Sequence, residues 1–324
     1  MVARRMVGAV VIACGLVGCG SAVEVEESRT LGTQVAELSS PNGRNLNGRN
    51  LNGRNLNSTE LGQMLVSVRF AGAERAGAGT AALSNTWLEG SVLHGATSQG
   101  VVSGMDLLGA RFVGELGSGD TVPLRIDDIQ PATGASADVW VYRVSYYAAD
   151  EGMWKPACPA ADGSALGAIA LTGRWDYRQG VAGGGAKIDD AQAFTFACEG
   201  AALAKCVRFG YRPWAGSVDG QSLGELHQAC TRMVRADFCG DGTSYTADGN
   251  WVNLYDASGV QQDSESWSLE AQWDAAGARC RSQTTRAGTQ AVSCSSGATV
   301  PTCGPSSSFE TGTLLMSEVP VAPY

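Results

Sequence analysis

Cysteine constrains this chain more than any other residue. The chain has 324 residues and ten cysteines. Setting aside Cys14 and Cys19 near the N-terminus leaves Cys158, Cys198, Cys206, Cys230, Cys239, Cys280, Cys294 and Cys303. An even set in an exported chain reads as a disulfide framework, because two fixed bridges exclude most ways of arranging the segments between them. Four of the eight fall in one stretch, Phe194 to Gly242, which carries two short helical patterns. The first is about Gly200–Phe209, with Leu203, Cys206 and Val207 in one stripe, and Gly210 and Pro213 stopping it. The second is about Leu223–Ala236. Ser222 and Glu225 form a capping box at its start, and Leu223, Leu226, Cys230, Met233 and Val234 line one face. A short connection favours antiparallel packing. Antiparallel partners keep a near-constant sum of residue numbers, which predicts the pairs Cys198–Cys239 and Cys206–Cys230 and leaves the other four cysteines open.

The N-terminus points to export. Residues 1–18, MVARRMVGAVVIACGLVG, place Arg4 and Arg5 before an apolar run too short to span a bilayer, the form of a signal peptide. The run closes on Leu16-Val17-Gly18-Cys19, which resembles the bacterial lipoprotein box. That resemblance implies acylation at Cys19, with the membrane as partner through the lipid. Gly20, in place of an aspartate, favours the outer membrane or cell surface. Residues 19–41 are small and acidic and read as a tether. The formal charge of -9 argues against nucleic acid as a partner, since phosphate binding needs clustered Lys and Arg.

Residues 42–61 read NGRNL three times and then NSTEL. Leu46, Leu51, Leu56 and Leu61 recur every five residues, and the period returns at Leu88 and Leu93 and at Val102, Leu107 and Phe112. This is similar to the pentapeptide-repeat pattern and predicts a short β-solenoid segment within residues 42–116. Downstream, Thr121–Ile129, Asp138–Ala148, Ala168–Tyr177 and Trp267–Trp273 read as strands.

Candidate chemistry is thin. The chain has two histidines, His94 and His227. His94 lies in the repeat and is expected at the surface. His227 lies beside the apolar stripe of the second helix, and with Asp237 and Asp241 it could form an acid–base set. An even cysteine count leaves no thiol for a Cys–His pair. Spacing disfavours zinc on His227, Cys230 and Cys239, and calcium would need denser carboxylates. The Gly-rich segment 181–187 lacks the ending of a phosphate-binding loop. No cofactor or metal is expected.

The run Arg235-Ala236-Asp237-Phe238-Cys239-Gly240-Asp241-Gly242 resembles the signature of the ADYC domain, a bacterial family named for an Ala-Asp-Tyr-Cys run. So do Gly173-Arg174-Trp175-Asp176-Tyr177, Phe194–Cys206, Gly210-Tyr211-Arg212-Pro213-Trp214 and the ending from Thr311 to Glu318. The resemblance implies an exported or lipoprotein-type chain and no particular reaction. Phe238 replaces the namesake tyrosine, so a mechanism needing that hydroxyl fails here. The expected organisation is signal peptide 1–18, lipidated tether 19–41, repeat segment 42–116 and a disulfide-rich domain 117–324. Its fold class is α+β, a stapled antiparallel helical hairpin packed on strands. The expected function is a non-enzymatic binding, display or structural module with an unidentified envelope or extracellular partner. The alternative is an exported hydrolase-type enzyme acting near His227, Asp237 and Asp241.

Overall fold

The computed structural model describes residues 65–320 except 77–80, 161, 248, 264–266 and 305–307, together with the backbone of two short strands, β1 (Ser39–Ser40) and β2 (Gly43–Asn45). The leader, Cys19 and the repeat beyond Asn45 lie outside the described residues.

The main element is a closed six-stranded antiparallel barrel. Its strands belong to the run β3 (Leu65–Arg75), β4 (Asn85–Glu89), β5 (Val92–Thr97), β6 (Gly100–Ser103), β7 (Arg111–Leu116), β8 (Thr121–Pro131), β9 (Trp140–Ala148), β10 (Met153–Pro156), β11 (Ala168–Thr172) and β12 (Ala193–Cys198). Around the barrel the order is β9, β11, β12, β3, β7, β8 and back to β9. Closure removes the open hydrogen-bonding edges that an isolated sheet would expose. Alternate residues point inward. Val68, Phe70, Phe112, Leu124, Ile126, Tyr142, Val144, Phe194 and Phe196 share one core. Phe194 is its centre, with Phe70, Phe112 and Phe196 at ring distances of 5.0, 5.6 and 4.9 Å. The interior is tight enough that a Cβ on Gly114 would lie 2.6 Å from a Leu65 methyl.

Strands β11 and β12 are buried on both faces. Ala168, Ala170, Phe194 and Phe196 face the barrel core, whereas Ile169, Leu171 and Ala197 join a second core outside it. That second core is built by two helices, α1 (Ala202–Arg208) and α2 (Leu223–Arg235), and by a second sheet. The sheet's strands are β13 (Trp251–Asp256), β14 (Ser268–Asp274), β15 (Gly277–Arg281) and β16 (Leu315–Val319), in the order β1-β2-β13-β16-β14-β15. The helices thus lie between the barrel wall and the sheet.

This overturns the expected α+β class. The helices span 7 and 13 residues, and most of the ordered secondary structure is strand. The helix boundaries were legible, and Ser222 accepts from the Glu225 N–H as the capping box requires. What the cysteine-rich stretch concealed is that its helices cover the outside of a barrel.

The solenoid expectation fails where residues are described. Residues 85–103 form an antiparallel meander of β4, β5 and β6, and 111–116 is a barrel strand. One of the five-residue spacings has a different cause. The two-residue turn at Gly90-Ser91 makes Leu88 the cross-strand partner of Leu93. Leu93, Leu107 and Phe112 are buried in the barrel core.

The described residues contain four disulfides. Cys206–Cys230 joins α1 to α2 with Cα atoms 5.8 Å apart. The expected Cys198–Cys239 pair does not form. Cys198 ends a barrel strand and bonds Cys158, 5.5 Å away, while Cys239 bonds Cys294 at 5.2 Å. The antiparallel arithmetic extended the hairpin past its helices to Cys198, but β12 ends there and the chain turns before α1 begins. The fourth bridge is Cys280–Cys303, at 4.8 Å. Bridges of this number belong to an oxidising, exported environment.

Two outcomes are expected. Phe194→Ala lowers stability by about 3–5 kcal/mol in urea titration, the usual cost of emptying an aromatic core position. Non-reducing peptide mapping yields Cys158 linked to Cys198 and Cys239 linked to Cys294, with no Cys198–Cys239 peptide.

Candidate functional site

The signature stretch lies at the C-terminus of α2, where unpaired carbonyls must find donors. Distant segments supply them. The Arg286 guanidinium donates to the Met233 carbonyl at 2.8 Å. The Arg235 carbonyl accepts from the Tyr245 amide at 3.2 Å and the Ser244 hydroxyl at 2.9 Å. Ala236 ends the helix in the left-handed conformation at φ 50°. Glycine would hold this backbone with less strain, but the methyl of Ala236 is fully buried in the second core.

Asp237 follows and is 0 % exposed. Its carboxylate accepts from the amides of Asp241 at 3.1 Å and Gly242 at 3.0 Å, and from Arg232 at 2.5 Å. Burial pushes this carboxyl up, while Arg232 and the Gly242 amide pull against that shift. Arg232 also donates to the carbonyls of Gly184 at 2.5 Å and Ala275 at 3.4 Å. One guanidinium therefore fastens three segments. The Gly-rich loop 181–187 belongs to this arrangement. A Cβ on Gly185 would lie 2.5 Å from Arg232 Nη1, and one on Gly240 would lie 1.6 Å from the Ala276 carbonyl. Gly184 of this loop packs against the backbone of Asp241 and Arg178.

Asp241 is buried and accepts from the amides of Thr243 and Ser295, each at 3.0 Å. Burial works against its charge, but these donors hold the carboxyl below its ordinary value. Arg235 is buried beside them and donates to the Gly242 carbonyl. Burial pushes its guanidinium down to about 10, still cationic at neutral pH.

His227 faces elsewhere. It is 1 % exposed, lies edge-on to Trp175 at 5.9 Å, and places Nε2 3.1 Å from the Leu203 carbonyl. A carbonyl only accepts, so Nε2 carries the proton. Burial depresses the imidazole to about 4, so it is neutral at ordinary pH. The structure brings Asp237 and Asp241 together through the turn they share, and it does not join either to His227 by a hydrogen bond or ion pair. His94 lies in β5, stacked on Trp87 at 5.3 Å and 3.7 Å from the exposed Glu89. Among the described residues no cluster of three His, Cys, Asp or Glu could hold a metal.

Sequence reasoning missed a second buried ion pair. Glu270, at 0 % exposure, accepts from the Arg286 amide at 2.8 Å and from its guanidinium at 2.9 Å. Ser317 donates to Glu270 and accepts from the Trp273 indole, at 2.8 and 2.9 Å. Alternation along β14 would bury Leu269, Ala271 and Trp273 and leave Glu270 and Gln272 to solvent. Both faces are buried, because residues after Arg281 fold back over the strand. The Thr313 hydroxyl donates to Gln272 Oε1 at 2.6 Å, and Gln272 Nε2 donates to the Ser308 carbonyl at 3.1 Å.

The other motifs in the resemblance also carry packing contacts. Trp175 donates to Gln228 at 3.1 Å, and Gln228 donates to the Gly185 carbonyl at 3.0 Å. The Tyr211 hydroxyl donates to Asp256 at 2.9 Å. Phe238 stacks on Trp273 at 5.2 Å and is 1 % exposed, a core position.

Arg232→Met is expected to cost about 3–5 kcal/mol in urea titration, because it strands a buried carboxylate, and the Arg232→Met/Asp237→Asn double variant is expected to cost less than the sum of its singles. His227 makes stability depend on pH. Its folded value of about 4 lies below the ordinary 6.5, so between these limits the unfolded chain binds the proton and the folded chain does not. The contribution is complete above pH 6.5, falls as pH drops, and is gone below about 4, a change on the order of 3 kcal/mol. His227→Gln should flatten the stability curve across that window relative to the parent.

The family model of the ADYC domain matches residues 104–287, more than half of the chain. No curated protein matches the chain, and no solved structure does. The matched span holds the barrel strands β7, β8, β9, β11 and β12, both helices and both buried ion pairs. The chain belongs to the ADYC domain family.

Proposed function

We propose that this chain is a cell-envelope lipoprotein, acylated at Cys19, whose ADYC domain acts as a non-enzymatic binding, display or structural module. The observation that carries the reading is that the reactive groups of the signature region are consumed by the framework. Asp237 is ion-paired at 0 % exposure, His227 is buried against a carbonyl and an indole, and the eight cysteines are bridged in four pairs. General acid–base catalysis needs a proton-transfer group within reach of a substrate, and these groups are spent on protein partners. Export is supported by the bridges, and the lipid anchor by the Leu16-Val17-Gly18-Cys19 run.

Metabolic labelling with a palmitate analogue tests the anchor. The parent is expected to take up label and to sediment with membranes. Cys19→Ser should lose both while keeping the four bridges. An unlabelled parent chain, or a Cys19→Ser chain still labelled, would overturn the reading.

A further inference from the structure

Exposed apolar side chains are concentrated in one place. Among the described residues four large hydrophobics stand in solvent, and three of them fall within residues 101–108: Val101, Met105 and Leu108, at 63, 54 and 46 % exposure. The stretch runs from β6, the outer strand of the β4-β5-β6 meander, through a 3-10 turn, Gly104–Leu107, toward the start of β7. The turn is fixed from within. Leu107 is buried in the barrel core, a Cβ on Gly104 would lie 3.0 Å from the Trp140 ring, and Arg75 donates to the Asp106 carbonyl at 3.1 Å. With Leu107 held inside, Met105 and Leu108 stand in water without a loop having to order before they meet an apolar phase. Asp106 is the single charged residue between Gly100 and Ala110. Two arginines flank the stretch, Arg75 at the end of β3 and Arg111 at the start of β7. Neither has an ion pair among the described residues, although Glu74 stands opposite Arg111 in register. The opposite end of the barrel exposes one large apolar side chain, Met153, across from Ala148.

We propose that this end of the barrel is a membrane-contact surface, in which Val101, Met105 and Leu108 enter the interfacial region of a lipid bilayer and Arg75 and Arg111 meet lipid phosphates. The size of the patch selects the occupant. Three side chains exposed to this degree offer on the order of 300 Å², whereas each side of a stable protein–protein interface buries roughly 800 Å². A bilayer requires no matching shape, and shallow insertion uses whatever apolar area is presented. Arginine supplies paired donors for phosphate oxygens. The proposal rests on the lipoprotein reading, which keeps a bilayer close to the domain and so makes a weak second contact effective. The chain from Cys19 to Ser39 spans at most about 70 Å. That is longer than any barrel strand, so the attachment itself does not set which end of the barrel faces lipid.

Fluorescence of the full chain on vesicles of phosphatidylethanolamine and phosphatidylglycerol, with and without brominated acyl chains, tests it. Met105→Trp and, separately, Leu108→Trp place an indole on the patch. Thr121→Trp places one at the opposite end of the barrel, where Thr121 is exposed and pairs with Glu115. Subtracting the emission of the parent isolates the added indole. Brominated lipid is expected to cut that emission at least twofold at positions 105 and 108 and to leave it unchanged at position 121. The proposal falls if the chain sediments with the vesicles while positions 105 and 108 stay unquenched, a result that leaves acylation at Cys19 standing. It falls equally if position 121 is quenched to the same degree, since the contact would then have no preferred face. Emission at position 105 that shifts to the blue with protein density, without quenching, would assign the patch to a second copy and overturn it. A chain that does not sediment with the vesicles overturns both readings.

Discussion

The contact between Arg232 and Asp237 holds together what no single element could. Both side chains are withdrawn from water, 3 % and 0 % exposed, and the pair lies where α2 ends, where the Gly-rich loop doubles back and where the turn after β14 approaches. Desolvating two charges costs several kcal/mol each, recovered only when every remaining donor and acceptor finds a partner. Here the carboxylate takes two amides as well as the guanidinium, and the guanidinium takes two carbonyls. The cost is what makes the arrangement selective, because a chain in which one segment is misplaced strands a buried charge. A second pair, Glu270 with Arg286, ties the strand beneath to the Met233 carbonyl of the helix, with Arg286 Nη1 left without a hydrogen-bond partner.

The local elements were legible in the residues, but the architecture was not. Ser222 and Glu225 mark the start of α2, Gly210 and Pro213 follow α1, and the Val- and Tyr-rich run becomes β9, because each of these signals acts over a few residues. Barrel closure depends instead on β3 meeting β7 and β12, over separations that no periodicity reports. The spacing of Leu88 and Leu93 fits a solenoid coil in sequence, but in the structure the two residues face each other across a two-residue hairpin turn. The candidate site was half visible. Asp237 and Asp241 share a turn as their spacing implies, whereas the partners Arg232, Gly184 and Ser295 come from packing. The buried state of Glu270 could not be read from β14, since the residues that cover it are irregular and polar.

The family signature thus reads as a folding requirement. Glycines stand where another backbone passes within contact distance, Phe238 fills a core position beside Trp273, and the cysteine of the run is tied to Cys294. A sequence motif of this density usually suggests catalysis. Here the density comes from the number of segments that cross in one buried volume.

The order of the disulfides along the chain has a consequence for how the protein matures. Joining each cysteine to the next one to emerge gives Cys158–Cys198 and Cys206–Cys230, the native bonds. The same rule applied further on would give Cys239–Cys280 and Cys294–Cys303. The native bonds interlace instead, Cys239 with Cys294 and Cys280 with Cys303. Sequential oxidation therefore completes the barrel and the helix pair but missets the last sheet. Its final bonds are reached only if Cys239 stays reduced until Cys294 is present, or if a thiol–disulfide exchange corrects it afterwards. The C-terminal third of this domain is the part whose maturation depends on the reshuffling capacity of the compartment that receives it.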